Sequence, residues 1–252
     1  LLVHGDKPVA PEAEEKYLNW IRQRAEHIPL QQLTGEQGFM GLTFSVNEHV
    51  LIPRQDTEIL VEEVLKELHD GMRVLDMCTG SGCILLSLLH YSNDCEGLGV
   101  DLSAEALEVA GRNVLKVLTP EKAEHAHFLQ SDLFEKVEGK FEIIVSNPPY
   151  IASAEVEKLM PEVRDHEPRM ALDGTEDGLY FYRRIIEEAG KHLVSSGMLF
   201  FEIGYDQGQA VSELMRTEGY CEVQVVQDYA GLDRVVFGTY VTVQPAPFAK
   251  SR

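Results

Sequence analysis

From residue 72 onward, short apolar segments alternate regularly with amphipathic ones, and this order leaves few folds open to the chain. The apolar segments predict five strands, at 73–77, 97–102, 127–132, 141–146 and 198–203. The amphipathic segments predict helices between them, at 81–91, 103–118, 154–160 with 177–193, and 206–218. Because each helix carries the chain back to the same end of a sheet, the alternation predicts right-handed β-α-β crossovers and a mostly parallel sheet.

The C-terminal part of the chain departs from this alternation. Two further strands are predicted at 221–228 and 234–240, but only the short segment "YAGLD" (229–233) joins them. A connection of this length cannot hold a helical crossover, so the last two strands must form an antiparallel hairpin. The predicted fold class is therefore α/β, with a seven-stranded, mostly parallel sheet that closes with this hairpin.

Upstream of the sheet, the sequence predicts a short helical part and a hairpin. Residues 12–28 carry apolar residues at helical spacing, and Pro29 is expected to end this helix. A hairpin is predicted at 39–52, and then a helix with Asp56 or Thr57 as its N-cap. We expect three parts, namely a partial helical N-terminal domain, a β-hairpin linker and the α/β domain, at 1–38, 39–53 and 54–252.

The balance of charged residues favours a protein partner or a small ligand over nucleic acid. The chain has 252 residues, with 22 Lys and Arg against 42 Asp and Glu, so its formal net charge is −20. Tight binding to a phosphate backbone normally uses a basic face. Nor does any apolar stretch reach the length of roughly 18 residues that a membrane-spanning helix needs. We therefore expect no direct binding to nucleic acid and no membrane association.

Neither a metal site nor a disulfide framework is predicted. The four cysteines lack zinc-binding spacing, and scattered thiols fit a reducing compartment, so we expect a cytoplasmic protein. His125 and His127 could form a metal pair on one strand face, but ordinary strand-edge histidines are the simpler interpretation because no third ligand is apparent. The chain begins at Leu1 rather than Met, which we interpret as a trimmed or incomplete N-terminus.

The first predicted strand of the sheet ends in a glycine-containing turn. In "VLDMCTGSGCILLSLL" (74–89), Gly80 and Gly82 permit a close approach of the backbone, and Ser81 between them is a candidate helix cap. Asp101 ends the second strand, where a carboxylate can accept both hydroxyls of a ribose. The dinucleotide pattern fails at its third glycine, and the lysine of a P-loop is missing. A tight turn without a ligand remains the alternative.

The pattern D-x-x-x-G-x-G followed by a later acidic residue resembles S-adenosylmethionine-dependent methyltransferases. A seven-stranded sheet with a terminal hairpin resembles the same superfamily. "SDLF" (131–134) follows the third strand, where that superfamily binds the adenine. The resemblance implies a Rossmann-like methyltransferase domain over 54–252. It also implies S-adenosyl-L-methionine as the cofactor and S-adenosyl-L-homocysteine as the product.

The fourth strand of the sheet ends in "NPPY" (147–150), a group suited to holding N–H donors. Pro148 and Pro149 have no N–H, so carbonyls of this loop can accept hydrogen bonds without a competing donor. The side-chain oxygen of Asn147 is a second acceptor, and Tyr150 can stack on a planar amide and face a sulfonium cation. A plain turn is the alternative, but the glycine turn at the same sheet edge favours a catalytic site formed by Asn147, Pro148 and Tyr150.

Three longer segments resemble one methyltransferase family. They are residues 29–65, residues 167–186, and the run from "VLDMCTGSGCI" to "SNPPYI". All three resemble bacterial peptide chain release factor glutamine methyltransferases, which methylate N5 of the glutamine in the Gly-Gly-Gln loop of release factors. The resemblance implies release factors as protein partners and a substrate-docking role for the N-terminal part. We further expect a monomer.

Matching the motifs residue by residue gives the expected site. The resemblance implies that Asn147, Pro148, Pro149 and Tyr150 form the glutamine pocket, and Arg54 resembles part of a conformationally important loop beside it. A plain surface arginine is the alternative for Arg54. The residues expected to bind the cofactor are Cys78, Thr79, Gly80, Ser81, Gly82, Asp101, Leu102, Asp132, Leu133 and Asn147.

The sequence differs from the resembling family at two points, and two alternative functions are considered. Cys78 stands where the family usually has glycine, and the N-terminal helical part is shorter than the family's. An adenine or guanine amine methyltransferase that acts on nucleic acid is the first alternative, but it predicts a basic recognition segment that the sequence lacks. A non-catalytic cofactor-binding scaffold is the second, and it leaves the intact "NPPY" group without a role.

Overall fold

The computed structural model describes residues 8–241 and has one principal sheet flanked by helices. The N-terminal part contains α1 (Pro11–Ala25), α2 (Leu30–Thr34), β1 (Glu36–Phe39) and β2 (Leu42–Ser45). The chain then continues through α3 (Asp56–Glu67), β3 (Arg73–Met77), α4 (Cys83–Tyr91), β4 (Glu96–Asp101), α5 (Ala104–Val117), α6 (Pro120–Ala123), β5 (Ala126–Gln130) and β6 (Phe141–Ser146). It ends with α7 (Ser153–Val156), α8 (Pro161–Arg164), a 3₁₀ turn (Arg169–Ala171), α9 (Tyr180–Ala189), β7 (Leu193–Glu202), α10 (Gly208–Thr217), β8 (Tyr220–Gln227) and β9 (Asp233–Tyr240).

The principal sheet has seven strands in the order β5-β4-β3-β6-β7-β9-β8. The first five strands of this order are parallel, whereas β9 runs antiparallel to both β7 and β8. The predicted α/β fold with a closing hairpin is therefore confirmed. The strand order reverses direction at β3, whose neighbours are β4 and β6, and such a switch point opens a crevice at the carboxyl ends of the strands.

Apolar residues on both faces of the sheet fix its two helical layers. Successive residues of a strand point to opposite faces, so Phe200 joins the core beneath α3 and α4, while Phe201 joins the core beneath α9. On the second face, Tyr182 packs edge to face on Phe201, with ring centroids 5.2 Å apart. Burial on both faces explains why the central strands are nearly continuous apolar runs.

The N-terminal hairpin lies earlier in the chain than the sequence predicted. Its strands pair Glu36 with Ser45 and Phe39 with Leu42, so the hairpin spans 36–45 rather than the predicted 39–52. The turn residues Met40 and Gly41 both have positive φ, at 51° and 71°. Two such residues form the tight turn that suits antiparallel strands, and they fix the hairpin at this position. Residues 46–53 contain no strand, and they turn at Glu48 and His49, where the Val50 N–H donates to the Asn47 carbonyl at 3.4 Å.

Two predicted helix boundaries also need correction. The first helix ends at Ala25, before Pro29, and Pro29 is the N-cap of α2 rather than the end of α1. The N-cap of α3 is Gln55, already helical at φ −63° and ψ −32°, so neither Asp56 nor Thr57 caps this helix. Both lie inside its first turn, where the side chain of Thr57 is buried.

The expected three-part division of the chain stays a prediction, and its outermost residues, 1–7 and 242–252, lie outside the described part. Between residues 8 and 241, no helix is both long enough and apolar enough to cross a membrane. All four cysteines are free, as the sequence predicted.

Candidate active site

A cleft opens at the carboxyl ends of β3, β4 and β6, where the strand order switches. Its empty volume, open mouth included, is about 1160 Å³. Most of the predicted site residues line it: Arg54, Cys78, Thr79, Gly80, Ser81, Asp101, Leu102, Asp132, Leu133, Asn147 and Pro149. Gly82, Pro148 and Tyr150 were predicted with them but do not line the cleft.

The glycine turn after β3 depends on left-handed backbone conformations. Cys78, Gly80 and Gly82 have φ values of 63°, 55° and 77°. A Cβ atom at Gly82 would approach the Cβ of Ala110 to 3.2 Å, so this glycine also lets α5 pack closely. Cys78 adopts a conformation that favours glycine, which explains in physical terms why the resembling family usually has glycine there. The turn nevertheless forms with cysteine in place.

Ser81 does not cap α4, contrary to the sequence-based prediction. The N-cap is Gly82, in the left-handed region, and no side chain caps the helix. Ser81 therefore lies one residue outside the helix, and its buried hydroxyl has no hydrogen-bond partner among the described residues. The turn is instead closed by Asp76, whose Oδ2 accepts hydrogen bonds from Thr79 Oγ1 at 2.6 Å and from the Leu85 N–H at 3.3 Å. Burial raises the pKa of Asp76 to about 7.

Asp101 joins the ends of two neighbouring strands. Its Oδ2 accepts a hydrogen bond from the Gly80 N–H at 2.8 Å, and its Oδ1 accepts one from the Ser103 N–H at 2.9 Å. Burial raises the pKa of Asp101, and these backbone hydrogen bonds oppose the rise. Each carboxylate oxygen has further lone pairs, so Asp101 can still accept hydroxyl donors from a ligand in the cleft.

On the side of the cleft formed after β5, Asp132 is paired with a cation. Its Oδ1 accepts a hydrogen bond from Arg184 Nη1 at 2.9 Å, which joins this loop to α9. Leu133 follows with φ 47° and is buried. This wall therefore offers a carboxylate next to an apolar side chain, a combination that suits an amine-bearing heteroaromatic ring.

The loop after β6 is held from behind by the segment that precedes α9. A Cβ atom at Gly174 would come within 2.8 Å of the Tyr150 Cα atom, so the two backbones touch where only glycine fits. Gln207 Nε2 donates to the carbonyl oxygen of Tyr150 at 3.0 Å, and the Ile151 N–H donates to the Leu172 carbonyl at 3.0 Å. The contacts of Leu172 and Gly174 show that the segment "ALDGTEDGL" (171–179) packs directly against the loop that contains "NPPY".

Arg54 pairs with Glu167, whose side chain is almost completely buried. Glu167 Oε2 also accepts a hydrogen bond from the Ile52 N–H at 3.2 Å. The ion pair thus links the segment before α3 to the segment after α8, next to the mouth of the cleft. Arg54 is half-buried and paired, which disfavours the alternative of a plain surface arginine.

Asn147 and Tyr150 contact residues that sequence reasoning missed. Asn147 Nδ2 lies 3.4 Å from Thr57 Oγ1, and the Tyr150 hydroxyl donates to Glu202 Oε1 at 3.3 Å. Burial, and secondly the carboxylate of Glu202, raises the pKa of Tyr150. One signal could have found Glu202, because it is an acidic residue inside the apolar strand "MLFFEI". Nothing in the sequence pointed to Thr57 as a site residue, apart from its position near the start of a helix.

The donor set of the cleft suits an organic ligand. Among residues 8–241, no cluster of three or more His, Cys, Asp and Glu side chains could hold a metal ion. The cleft combines the carboxylates of Asp101 and Asp132 with apolar walls and the amide of Asn147. Such a site can hold a nucleoside by its hydroxyls and amine while leaving a side-chain amide to contact a second molecule.

The fold and the matching family define the class of the protein. The methyltransferase small domain family matches residues 54–163. Among solved structures, a methyltransferase from Pyrococcus furiosus superposes with a TM-score of 0.58 at 16% identity, covering 92% of this chain and 100% of the other. Together with the seven-stranded sheet, these similarities define a Rossmann-like methyltransferase fold, and relatives that are 42% and 44% identical show that the protein is an enzyme of that class.

Longer similarities identify the family within this class. The PrmC N-terminal domain family matches residues 1–35. A release factor glutamine methyltransferase of Clostridium acetobutylicum is 42% identical over 94% of this chain and 84% of its own length. One of Moorella thermoacetica is 44% identical over 93% of this chain and 83% of its own length. The chain belongs to the release factor glutamine methyltransferase family.

Proposed function

We propose that this protein transfers a methyl group from S-adenosyl-L-methionine to the side-chain amide nitrogen (N5) of the glutamine in the Gly-Gly-Gln motif of peptide chain release factors. Such a modification modulates translation termination. The observation that carries the proposal is that Asn147 and the Gly80–Asp101 pair line one cleft, since the first can hold an amide and the second a ribose. The names of the relatives support the choice of substrate.

The residues of the cleft fit the cofactor. Asp101 would accept the ribose hydroxyls, and Asp132 and Leu133 would contact the adenine. Cys78, Thr79, Gly80 and Ser81 would lie along the nucleoside and its amino-acid chain, and Leu102 would cover the ribose. Gly82 would act indirectly, by keeping α5 close to the turn. When bound, S-adenosyl-L-methionine supplies an electrophilic methyl group on a sulfonium centre, and S-adenosyl-L-homocysteine is left after transfer.

The substrate side of the site is formed by the loop after β6. Asn147 Oδ1 and the carbonyl groups beside Pro148 and Pro149 would accept hydrogen bonds from the two protons of the glutamine amide. Fixing both protons orients the nitrogen lone pair towards the methyl donor, and orientation of this kind lowers the barrier by several kcal/mol in order of magnitude. The N–CH₃ bond forms as the S–CH₃ bond breaks, and the nitrogen releases one proton to solvent. Tyr150, whose hydroxyl points to Glu202, would pack behind the amide plane.

The electrostatics support a protein substrate. The formal net charge of −20 disfavours extended contact with a phosphate backbone, and the basic segment that a nucleic-acid methyltransferase would need is missing from the sequence. The alternative of a nucleic-acid amine methyltransferase is therefore not favoured, and a non-catalytic scaffold is not favoured because it leaves the intact "NPPY" group without a role. A cytoplasmic location and a monomeric state remain predictions from the sequence, and both agree with action on release factors.

Transfer of radiolabelled methyl groups tests this function. The protein is incubated with labelled S-adenosyl-L-methionine and with a release factor that carries either Gln or Glu in its Gly-Gly-Gln loop. We expect label on the Gln form alone, because a glutamate carboxylate has no N–H donors for the acceptors of the loop. Equal labelling of both forms, or efficient labelling of RNA or duplex DNA, would contradict the proposal.

A further inference from the structure

An arginine that lies outside the cleft holds a carboxylate that lines it. Asp132 is a lining residue, whereas its partner Arg184 belongs to α9 and does not line the cleft. We infer that Arg184 is a positioning residue, which turns the free oxygen of Asp132 towards the amine of the cofactor's adenine. The inference rests on the proposed function, because it concerns how the proposed cofactor site recognises its base.

The two carboxylate oxygens of Asp132 have different surroundings. Oδ1 accepts a hydrogen bond from Arg184 Nη1 at 2.9 Å, and this is the one side-chain hydrogen bond that Asp132 makes within residues 8–241. Oδ2 is left free on a side chain that is 41% exposed where it lines the cleft. A carboxylate oxygen only accepts hydrogen bonds, so Oδ2 is an open acceptor for an N–H donor in the cleft.

Helix α9 gives Arg184 a rigid base. The inner face of the helix is buried in the core, through Tyr182, Ile185, Ile186 and Ala189. One turn before Arg184, the ring of Tyr180 lies against the guanidinium, with 5.7 Å between Arg184 Cζ and the ring centroid. The arginine side chain is only 27% exposed. Because the guanidinium is planar and always charged, it restricts the orientation of the carboxylate that it holds.

The effect of this ion pair is on orientation rather than on folding. A partly exposed ion pair adds little to stability, since water solvates both charges well. The terminal torsion of an aspartate is broad, so an unpaired carboxylate would exchange its two oxygens between the cleft and the solvent. Arg184 removes this freedom before any ligand binds. Less entropy is then lost when Oδ2 accepts a hydrogen bond from the ligand.

A fixed acceptor at this place discriminates between purine bases. Adenine carries an amine at C6, and its N–H groups can donate to Asp132 Oδ2. Hypoxanthine carries a carbonyl oxygen at C6, which would meet the carboxylate with lone pairs on both sides. An Asp132 side chain that could rotate freely would turn away from this repulsion. By holding Asp132, Arg184 therefore contributes to the selection of an amine-bearing base.

Arg183 provides the matched control. It is the preceding residue of the same helix and also forms an ion pair, with Asp177. Asp177 is 48% exposed and does not line the cleft. Arg183→Gln therefore removes the same charge and the same kind of contact as Arg184→Gln, while the pair at Asp132 stays intact.

Binding of two cofactor analogues tests the inference. Isothermal calorimetry gives the Kd of S-adenosyl-L-homocysteine and of S-inosyl-L-homocysteine, which has hypoxanthine in place of adenine, and the ratio of the two is the base selectivity. We expect Arg184→Gln to lower this selectivity by roughly 3- to 10-fold, the scale of the cost of ordering one side chain. Arg183→Gln should leave the selectivity unchanged. Thermal melting of both variants should stay close to that of the unchanged protein.

Asp132→Ala shows whether Arg184 acts through the carboxylate. This variant alone should lose most of the base selectivity, and adding Arg184→Gln to it should change the selectivity no further, because the two residues act as one unit. Three results would each overturn the inference: a selectivity that Arg184→Gln does not move, an equal weakening of both ligands, or an additive effect in the double variant.

Methyl transfer to a release factor, measured with the same proteins, separates this inference from the proposed function. If Arg184→Gln lowers the selectivity as expected but the unchanged protein methylates no glutamine, the proposed function fails and the positioning role stands. If the unchanged protein methylates glutamine while its selectivity is independent of Arg184, the inference fails and the function stands. Binding of neither analogue to the unchanged protein would refute both.

Discussion

The backbone N–H of Gly80 donates a hydrogen bond of 2.8 Å to Asp101 Oδ2, which joins the turn after β3 to the end of β4. The Ser103 N–H donates to the other oxygen of the same carboxylate at 2.9 Å. Asp101 is therefore held in one orientation before any ligand arrives. Such preorganisation reduces the entropy that is lost when a cofactor binds.

The first prediction concerns this carboxylate. Asp101→Ala removes the acceptor proposed for the ribose hydroxyls and leaves the Gly80 N–H without its partner. We expect binding of S-adenosyl-L-homocysteine to weaken by about 1.5–3 kcal/mol, the range for hydrogen bonds to charged groups. Isothermal calorimetry measures the change. Asp94→Ala, which removes an exposed carboxylate two residues before β4, is the control, and equal affinities for the two variants would refute the ribose assignment.

The second prediction compares the contributions of Asn147 and Tyr150, in the loop after β6, to the rate of methyl transfer. Asn147→Ala should slow methyl transfer by about 10²-fold or more, because it removes an acceptor that orients the substrate amide. Tyr150→Ala should have a smaller effect, since aromatic stacking contributes about 0.5–1.5 kcal/mol beyond buried area.

Asn147→Asp is the sharper variant of this position. It keeps an acceptor and adds a charge that attracts the sulfonium but disturbs the amide, so we expect reduced rather than abolished turnover. Single-turnover rates at saturating cofactor measure all three variants, with thermal melting as the folding control. Wild-type turnover in a normally folded Asn147→Ala protein would exclude the mechanism proposed for this loop.

A third prediction follows from the backbone of Cys78, whose φ of 63° is strained for any residue with a Cβ atom. Cys78→Gly should be tolerated, because the relief of strain offsets the loss of a half-buried side chain. Cys78→Val should be less stable than Cys78→Gly by about 1 kcal/mol or more, since β-branched residues adopt positive φ poorly. Chemical denaturation of both variants gives the comparison. Equal stability of the two would show that the turn changes its conformation.

The fourth prediction concerns pH and Asp76. Burial raises the pKa of Asp76 from 3.8 to about 7, so the folded protein retains a proton that the unfolded chain has already lost. The unfolded state is therefore favoured as pH rises between these two values, and stability should fall by on the order of 1 kcal/mol per pH unit from this group. Asp76→Asn should lack this component.

The measurement for Asp76 is the free energy of unfolding at several pH values between about 4.5 and 7.5. Other groups contribute equally to both proteins, so the difference in slope between the unchanged protein and Asp76→Asn isolates Asp76. Parallel slopes would mean that the carboxylate stays charged in the folded protein.

The sheet could be predicted from the sequence because its signal is local and repeated. Each strand is an apolar run and each crossover an amphipathic helix, and short connections leave few topologies. The sequence pattern gave the wrong hairpin position and the wrong helix cap where a left-handed backbone conformation determined the structure. Positive φ at Met40 and Gly41 fixed the hairpin earlier than predicted, and the left-handed Gly82 displaced Ser81 from the cap of α4.

The candidate site was predictable only in part. The residues that follow the strand ends could be found because parallel strands bring their carboxyl ends together, and Asp101 and Asn147 line the same cleft. Thr57 and Glu202 could not be found as partners of one loop, because they lie 145 residues apart in sequence and meet only through tertiary packing of α3 on β7. The orientation of the Tyr150 hydroxyl towards Glu202 likewise required the structure.

The most direct measurement is mass mapping of the methylated residue. The protein is incubated with S-adenosyl-L-methionine carrying a heavy-isotope methyl group and with an unmodified release factor, which is then digested and sequenced by tandem mass spectrometry. We expect one added methyl group, on the side chain of the glutamine in the Gly-Gly-Gln motif, and a much smaller methylated fraction with Asn147→Ala after the same incubation time. Methylation at any other residue would contradict the proposed function. So would a release factor that carries no added methyl group after an incubation long enough for complete conversion.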